Sequence, residues 1–495
     1  MTHTPTDHSL SVVIIGTGFG GLGMAIQLKK AGFTNITLLE KASRVGGTWR
    51  DNTYPGAACD VQSHLYSYSF EPKHDWSRKF GPQSEILGYM DHCVEKYDLA
   101  RHIRLGAEVQ EARFNDARNI WAITLTNGDA LDANVLITAT GQLNQPATPD
   151  IPGMDQFEGT VFHSARWDHD YDLSNKRVAV IGTGASAIQF VPEIARQVKS
   201  LSLFQRSAAW VLPKPDRPFT SLEQTLFKSV PVWDRAYRAF IYWKNESRAL
   251  AFTRFNKLLE LFAYQAKKEA RKHISDPEKL KNIIPNYQIG CKRILISNDW
   301  YPAINRPNLN LVTDSIDHID QDGIVTNDGQ HYLADAIIFG TGFRATEFLS
   351  PIRITGRAGQ TLNDAWKDGA SAFRGISVSG FPNLFMLYGP NTNLAHNSII
   401  YMLESQFSYI VDALRALSKY PGSAMDVRQD RQDRFSDVIQ GGLHNSVWEA
   451  GCSSWYLDKN GRNTVNWPGF TFTYRASTRR VDTADYQFIY PAKPT

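Results

Sequence analysis

Ser11-Val-Val-Ile-Ile15 runs directly into Gly16-Thr-Gly18-Phe-Gly-Gly21. A short apolar run rich in β-branched residues, stopped by glycines, reads as a buried parallel strand entering a tight turn. Beyond the turn, Leu22, Ala25, Ile26 and Leu28 fall on one side of a helix that ends at Ala31-Gly32, where glycine is the usual C-terminal stop. Ile36-Thr-Leu-Leu-Glu40 is the next strand. Strand, glycine turn, helix and strand form a βαβ unit. The missing side chains let a pyrophosphate reach the backbone at the helix N-terminus.

The unit recurs. Arg177-Val-Ala-Val-Ile181 leads into Gly182-Thr-Gly184-Ala-Ser186-Ala187, then a helix to about Val198 and a strand ending at Ser202-Leu-Phe-Gln-Arg206. Gly16 and Gly182 lie 166 positions apart, so the two units belong to two domains. Asn134–Gly141 and Asp335–Gly342 are further strands running into glycine turns, each placed to close one dinucleotide domain. The Pro-rich Asn144–Pro152 reads as a linker.

The expected fold is α/β, with two Rossmann-like dinucleotide-binding domains, the second inserted in the first. The first would span 1–145 and resume over 373–495 with the C-terminal region. The inserted domain, 146–372, would carry a helical insertion at about 218–285. Within it, Phe252, Phe255, Leu258, Leu259 and Phe262 fall at amphipathic spacing. Its many Lys and Arg, with acids interspersed, read as a solvated face rather than a membrane-surface helix. Phe381–Tyr388 reads as a strand returning to a sheet, Gly389-Pro-Asn391 as a turn, and 448–467 as irregular structure near a site.

The residue closing the second strand of each unit selects the nucleotide. Glu40 stands 24 positions after Gly16, and Arg206 stands 24 after Gly182. A carboxylate accepts from ribose hydroxyls and repels a 2′-phosphate, whereas a guanidinium at the same register attracts it. The first site therefore suits FAD or NAD and the second NADPH. The pair describes a flavin oxidoreductase, whose flavin passes electrons to a disulfide, a carrier or dioxygen.

Composition narrows this list. The chain has 495 residues, 42% hydrophobic and 21% charged, with a net charge of +3. That balance gives no reason to expect nucleic acid or an acidic membrane surface as a partner. No apolar run approaches the ~18 residues of a membrane span. Met1–Leu10 lacks the apolar stretch of a signal peptide. The four cysteines, Cys59, Cys93, Cys291 and Cys452, form no Cys-x-x-Cys motif. This excludes the usual zinc ribbon and the local redox dithiol, and with them a disulfide-reducing flavoprotein. A reducing, cytoplasmic setting, no metal, and dioxygen as the acceptor are the expectations.

Phe157-Glu-Gly159-Thr-Val-Phe-His163-Ser-Ala-Arg-Trp167-Asp168 follows the linker as F-x-G-x-x-x-H-x-x-x-W-D. It resembles the signature of type I Baeyer–Villiger monooxygenases, flavin enzymes whose N- and S-oxygenating cousins differ at the Trp-Asp pair. Gly46-Gly47-Thr48-Trp49, then Tyr54-Pro55-Gly56 and Asp60, resemble the other pattern of that family. The resemblance implies an FAD- and NADPH-dependent enzyme that inserts one oxygen of O2 beside a ketone carbonyl, giving an ester or lactone. The chemistry runs through a flavin C4a-peroxide, and sulfide oxygenation is the expected side activity. Such a site needs a fixed positive charge beside the developing oxyanion and must exclude water.

The family's active-site arginine sits in a Lys-Arg pair, matched here by Lys292-Arg293. The resemblance makes Arg293 the catalytic cation and Asp60 the carboxylate that orients it. Guanidinium keeps its charge at any working pH. Lys292 would assist Arg206 at the 2′-phosphate, and Trp455 would contact the nicotinamide cofactor. Gly16, Gly18, Gly21, Glu40, Gly47, Thr48, Trp49 and Tyr54 would hold FAD, and Gly182, Gly184 and Ser186 would hold NADPH. His163 would couple the two domains. Where many cyclic-ketone members have Tyr-Tyr, this chain has Trp300-Tyr301. Two rival readings remain: an N- or S-oxygenating flavin monooxygenase, and a non-catalytic nucleotide-binding flavoprotein.

Overall fold

The structure is a computed structural model and describes residues 10–444, 446–452 and 454–490. The signal-peptide reading of 1–10 therefore lies almost wholly outside the described residues, as does Ser453. Val12–Ile15 (β1), Phe19–Lys30 (α1) and Ile36–Leu39 (β2) form the expected βαβ unit. β1 lies between β2 and Val135–Thr138 (β4), parallel to both. Ile103–Arg104 (β3) extends one edge. Leu384–Met386 adds to the other edge, beside β4. This sheet takes its last strand from some 240 residues later in the chain, as a domain interrupted by an insertion must.

β1 is buried along its whole length, which is why it is a continuous apolar run rather than an alternating one. α1 is wedged between the sheet and Ile399–Leu417, and its Leu22, Met24, Ala25, Ile26 and Leu28 are fully buried.

The second sheet is also five-stranded and parallel, in the order Leu309–Val312, Ser200–Phe204, Arg177–Ile181, Ala336–Phe339, Thr160–His163. Its first helix, Ala187–Ile194 (α2), stops earlier than Val198 and contains Pro192. The expected closing strands after each unit are Val135–Thr138 and Ala336–Phe339, and both pair centrally.

The helical insertion comprises Ser221–Ser229 (α3), Pro231–Glu246 (α4), Ala249–Thr253 (α5), Leu259–His273 (α6) and Pro277–Ile283 (α7). The single amphipathic stripe expected over 252–262 is broken. α5 ends at Thr253, so Phe252 is buried while Phe255 and Leu258 are exposed. No described helix is long and apolar enough to cross a membrane.

Candidate active site

The first glycine turn is tight for identifiable reasons. Gly16 has φ +103°, and a Cβ on it would lie 2.6 Å from the Ala139 carbonyl oxygen. A Cβ on Gly21 would overlap the Gly16 carbonyl oxygen. Gly18 precedes α1 with no side-chain cap on the helix N-terminus, which leaves first-turn N–H groups open to an anion. The Gly46-Gly47 turn folds against it, with a Gly47 Cβ only 3.1 Å from the Gly18 Cα.

Glu40 is buried at the end of β2. It accepts from the Thr17 backbone N–H (3.1 Å) and Oγ1 (2.6 Å) and the Ala42 N–H (3.0 Å), and pairs with Arg50 at 2.7 Å. Four protein donors thus fix the carboxylate at the end of β2, on the cavity wall.

The second turn repeats the design. Gly182 has φ +106°, with a notional Cβ 2.6 Å from the Gly340 carbonyl oxygen. Gly184 precedes Ser186, the residue before α2, and again no side chain caps the helix. Arg206 is exposed just past Ser200–Phe204. Lys292 Nζ donates to Ser207 Oγ at 3.0 Å. Desolvation, then the neighbouring Arg206 charge, lowers the Lys292 pKa. Two cations therefore stand close together at this end of the cavity, an arrangement able to take an anion.

Between the turns lies one cavity of about 1070 Å³, lined from both domains. Gly16, Gly18, Glu40, Gly47, Thr48, Trp49, Tyr54, Asp60, Gly182, Gly184, Ser186, Arg206, Lys292, Arg293 and Trp455 all reach it. Of the nucleotide-site residues, Gly21 stays behind the wall as packing.

Arg293 Nη2 donates to Asp60 Oδ2, and each side chain is 35% exposed. The Asp60 charge pushes the Arg293 pKa up against the effect of desolvation. Burial works to raise the Asp60 pKa, but the Arg293 charge and hydrogen bond outweigh it and the net direction is down. The pair is therefore ionised throughout the neutral range. Tyr388 and Tyr456 sit close enough to feel both charges, and burial raises both phenols, Tyr456 to about 12. They are neutral hydroxyls at working pH. Tyr388, at φ +59°, donates to Asn393 Oδ1 at 2.5 Å.

Gln189, on α2, is a residue that no motif pointed to. It accepts from Tyr54 OH (2.9 Å) and donates to the Ala58 carbonyl (3.0 Å). The second domain thus grips the segment leading into Asp60. Tyr54 spends its hydroxyl on this contact, with its ring 5.9 Å from that of Phe190.

The cysteines need a correction. Cys291 and Cys452, 161 positions apart with Cα atoms 6.2 Å apart, form a disulfide. Spacing excludes only local pairs, and folding brings these two together. The bridge ties the segment carrying Lys292 and Arg293 to the one carrying Trp455. Cys59 and Cys93 remain free and buried.

The F-x-G-x-x-x-H-x-x-x-W-D stretch is an edge element of the second sheet. A Cβ on Gly159 would lie 2.5 Å from the Phe157 ring and 2.6 Å from the Asp335 carbonyl oxygen. His163 ends its strand, its Nδ1 accepting from the Ala165 N–H at 3.0 Å, and desolvation lowers its pKa. Trp167 packs on Phe162 and Phe190. Asp168 Oδ1 caps the turn through the Asp170 and Tyr171 N–H groups. None of the five lines the cavity.

Residues 13–225 match the family model described as pyridine nucleotide-disulphide oxidoreductase. The chain is 44% identical over 492 residues to a Baeyer-Villiger monooxygenase of Streptomyces coelicolor, covering 99% of this chain and 95% of the relative. It is 45% identical over 477 residues to one of Pseudomonas aeruginosa, covering 96% and 90%. Among solved structures, the closed form of cyclohexanone monooxygenase superposes with TM-score 0.88 at 28% identity, covering 98% of this chain and 99% of that one. OTEMO in complex with FAD and NADP gives TM-score 0.87 at 27% identity, covering 97% and 99%.

Proposed function

Because this chain belongs to the Baeyer–Villiger monooxygenases, we propose that it uses FAD, NADPH and O2 to insert one oxygen beside a ketone carbonyl, giving an ester or lactone, with sulfides as secondary substrates. The observation that carries this reading is the Arg293–Asp60 pair standing in a single cavity shared by both glycine turns. In this reading 1–145 and 373–495 hold FAD, and 146–372 hold NADPH.

The residues suit both groups. The uncapped start of α1 and the Gly16, Gly18 and Gly47 surfaces leave room for the FAD pyrophosphate. Gly182, Gly184 and Ser186 offer the same to NADPH, and Arg206 and Lys292, the latter bonded to Ser207, would hold its 2′-phosphate. FAD held there would supply hydride acceptance and oxygen activation.

The chain's own part is electrostatic and steric. Arg293 presents a permanent charge toward the carbonyl oxygen as negative charge builds there. Asp60 fixes the orientation of that guanidinium and, being ionised itself, takes no proton. A preset donor in a sheltered cavity acts more strongly than in water and costs no reorganisation at the moment of reaction. Trp49, whose Nε1 donates to Tyr66 OH at 3.1 Å, and Tyr388 wall the same space with rings. Those rings limit the water that competes for the activated oxygen.

The test is product analysis with Arg293→Ala. The wild-type enzyme with NADPH should convert a panel of linear and cyclic ketones to esters and lactones, and aryl sulfides to sulfoxides. Arg293→Ala should keep FAD and lose about 10²–10³-fold in ester formation, the usual cost of one oxyanion-stabilising donor. Undiminished ketone oxygenation in that variant overturns the assignment.

A further inference from the structure

The helical insertion does not bury its apolar residues evenly. Among the described residues, seventeen large hydrophobic side chains are exposed, and ten of them fall between positions 221 and 264. On α4, Val232 is 73% exposed, Trp233 50%, Phe240 62% and Trp243 59%. Leu261 and Tyr264 on α6 are 68% and 66% exposed. At roughly 100° per residue, Val232, Trp233, Phe240 and Trp243 fall in an arc about 100° wide on α4. Arg235 and Lys244 then stand on its two edges.

The charges on this region are sorted as well. The interspersed acids that made the sequence read as a solvated face are mostly turned inward. Asp234 is buried beside His64 and His74, at 3.6 and 3.5 Å. Glu246 is buried, accepting from Asn397 Nδ2 at 2.5 Å and Thr471 Oγ1 at 2.8 Å. Glu223 is partly buried and paired with Arg217. Over 221–264 the exposed charged residues are Lys228, Arg235, Lys244, Arg248, Arg254 and Lys257, against Glu260 alone. A solvated helix face has no need of two exposed tryptophans. A contact between protein subunits gains nothing from an almost purely cationic rim unless its partner is acidic. A second copy meeting this face with the same face would set cations against cations.

We propose that the outer face of α4 rests on an anionic lipid surface and holds this enzyme at the membrane interface without crossing it. Trp and Tyr favour the headgroup level, apolar side chains enter the boundary, and Lys and Arg meet lipid phosphates. The last turn of the same helix reaches the cavity wall, since Glu246 on α4 holds Asn397 and Asn397 lines the cavity. A substrate dissolved in the bilayer is thus one helix away from the site, and this points to lipophilic, membrane-partitioned substrates.

The experiment is sedimentation of the FAD-loaded full-length enzyme with vesicles of phosphatidylcholine containing 30% phosphatidylglycerol, and with pure phosphatidylcholine vesicles. Binding should favour the anionic vesicles and weaken in 0.5 M NaCl. Arg235→Gln/Lys244→Gln should weaken it about thirtyfold, at roughly a fivefold loss per surface cation. Trp233→Ser/Phe240→Ser should weaken binding to both kinds of vesicle. NADPH consumption in detergent-free buffer should be unchanged in both double variants, which verifies that they fold. Absence of wild-type binding to anionic vesicles overturns the proposal. So does a concentration-dependent dimer that Trp233→Ser/Phe240→Ser dissociates, because the face is then an interface between copies.

Discussion

Arg206→Ala asks whether the second nucleotide site is built for a 2′-phosphate. Arg206 stands at the register where the first site has Glu40, and it is exposed at the rim of the cavity. Its charge helps depress the pKa of Lys292, whose ammonium is fixed 3.0 Å from Ser207 Oγ. The two cations therefore already feel each other, and an arriving phosphate relieves that repulsion while forming charge-assisted contacts. A hydrogen bond to a charged group contributes about 1.5–3 kcal/mol. Exposure and screening, with a Debye length of about 10 Å at 0.1 M salt, favour the lower end. That corresponds to about a tenfold rise in the KM for NADPH. NADH lacks the 2′-phosphate, so its KM should stay within about twofold. Lys292→Ala should act in the same direction, and the double variant should lose less than the product of the two. Removing one cation lowers the repulsion felt by the other, so the effects are coupled. The assay is steady-state NADPH and NADH oxidation at 0.1 M salt in the presence of a ketone. Equal changes for the two nucleotides, or none for either, would refute the reasoning.

Gly21→Ala should yield colourless protein or none in solution, because its Cβ overlaps the Gly16 carbonyl oxygen and meets the Ala139 Cβ at 3.5 Å. A variant with full flavin absorbance per chain refutes the packing argument. Denatured without reductant, the protein should expose two titratable thiols, Cys59 and Cys93, and four after reduction; four at the outset would show that Cys291 and Cys452 are unpaired. Asp426 is 2% exposed, and desolvation pushes its pKa up to about 6 against hydrogen bonds from the Gly380 N–H and the Gln487 amide. A carboxyl whose native pKa lies above its unfolded value favours folding below that unfolded value, and the contribution is lost as pH rises through 6. Asp426→Asn should therefore stabilise the protein by up to roughly 3 kcal/mol at pH 8 and hardly at all at pH 4. The same shift in denaturation midpoint at both pH values would refute the assignment.

What the sequence discloses depends on how local the cause is. The Gly16 and Gly182 turns are legible because their constraint lies within six residues. A strand, a positive φ and a helix N-terminus must follow one another, and only certain residues allow it. The parallel character of both sheets is legible for a similar reason, since β1 and Ala336–Phe339 are buried on both faces and so are continuously apolar. The Arg293–Asp60 pair joins residues 233 positions apart, and no spacing rule connects them. It came from a resemblance between motifs, which stores the outcome of folding rather than its cause. Gln189 shows the limit of both routes. Glutamine carries no charge and has no fixed place in a pattern, yet its amide joins Tyr54 and Ala58 to α2. The Cys291–Cys452 bridge escaped because a covalent bond needs only proximity in space. The acids of α4 were visible in sequence but not their direction. Helical periodicity puts Asp234 opposite the exposed arc, yet Glu246 falls near that arc and is buried where His396, Asn397 and Thr471 meet it. Burial of a charged group depends on what packs over it, and that is decided by tertiary contact after the local pattern has been written.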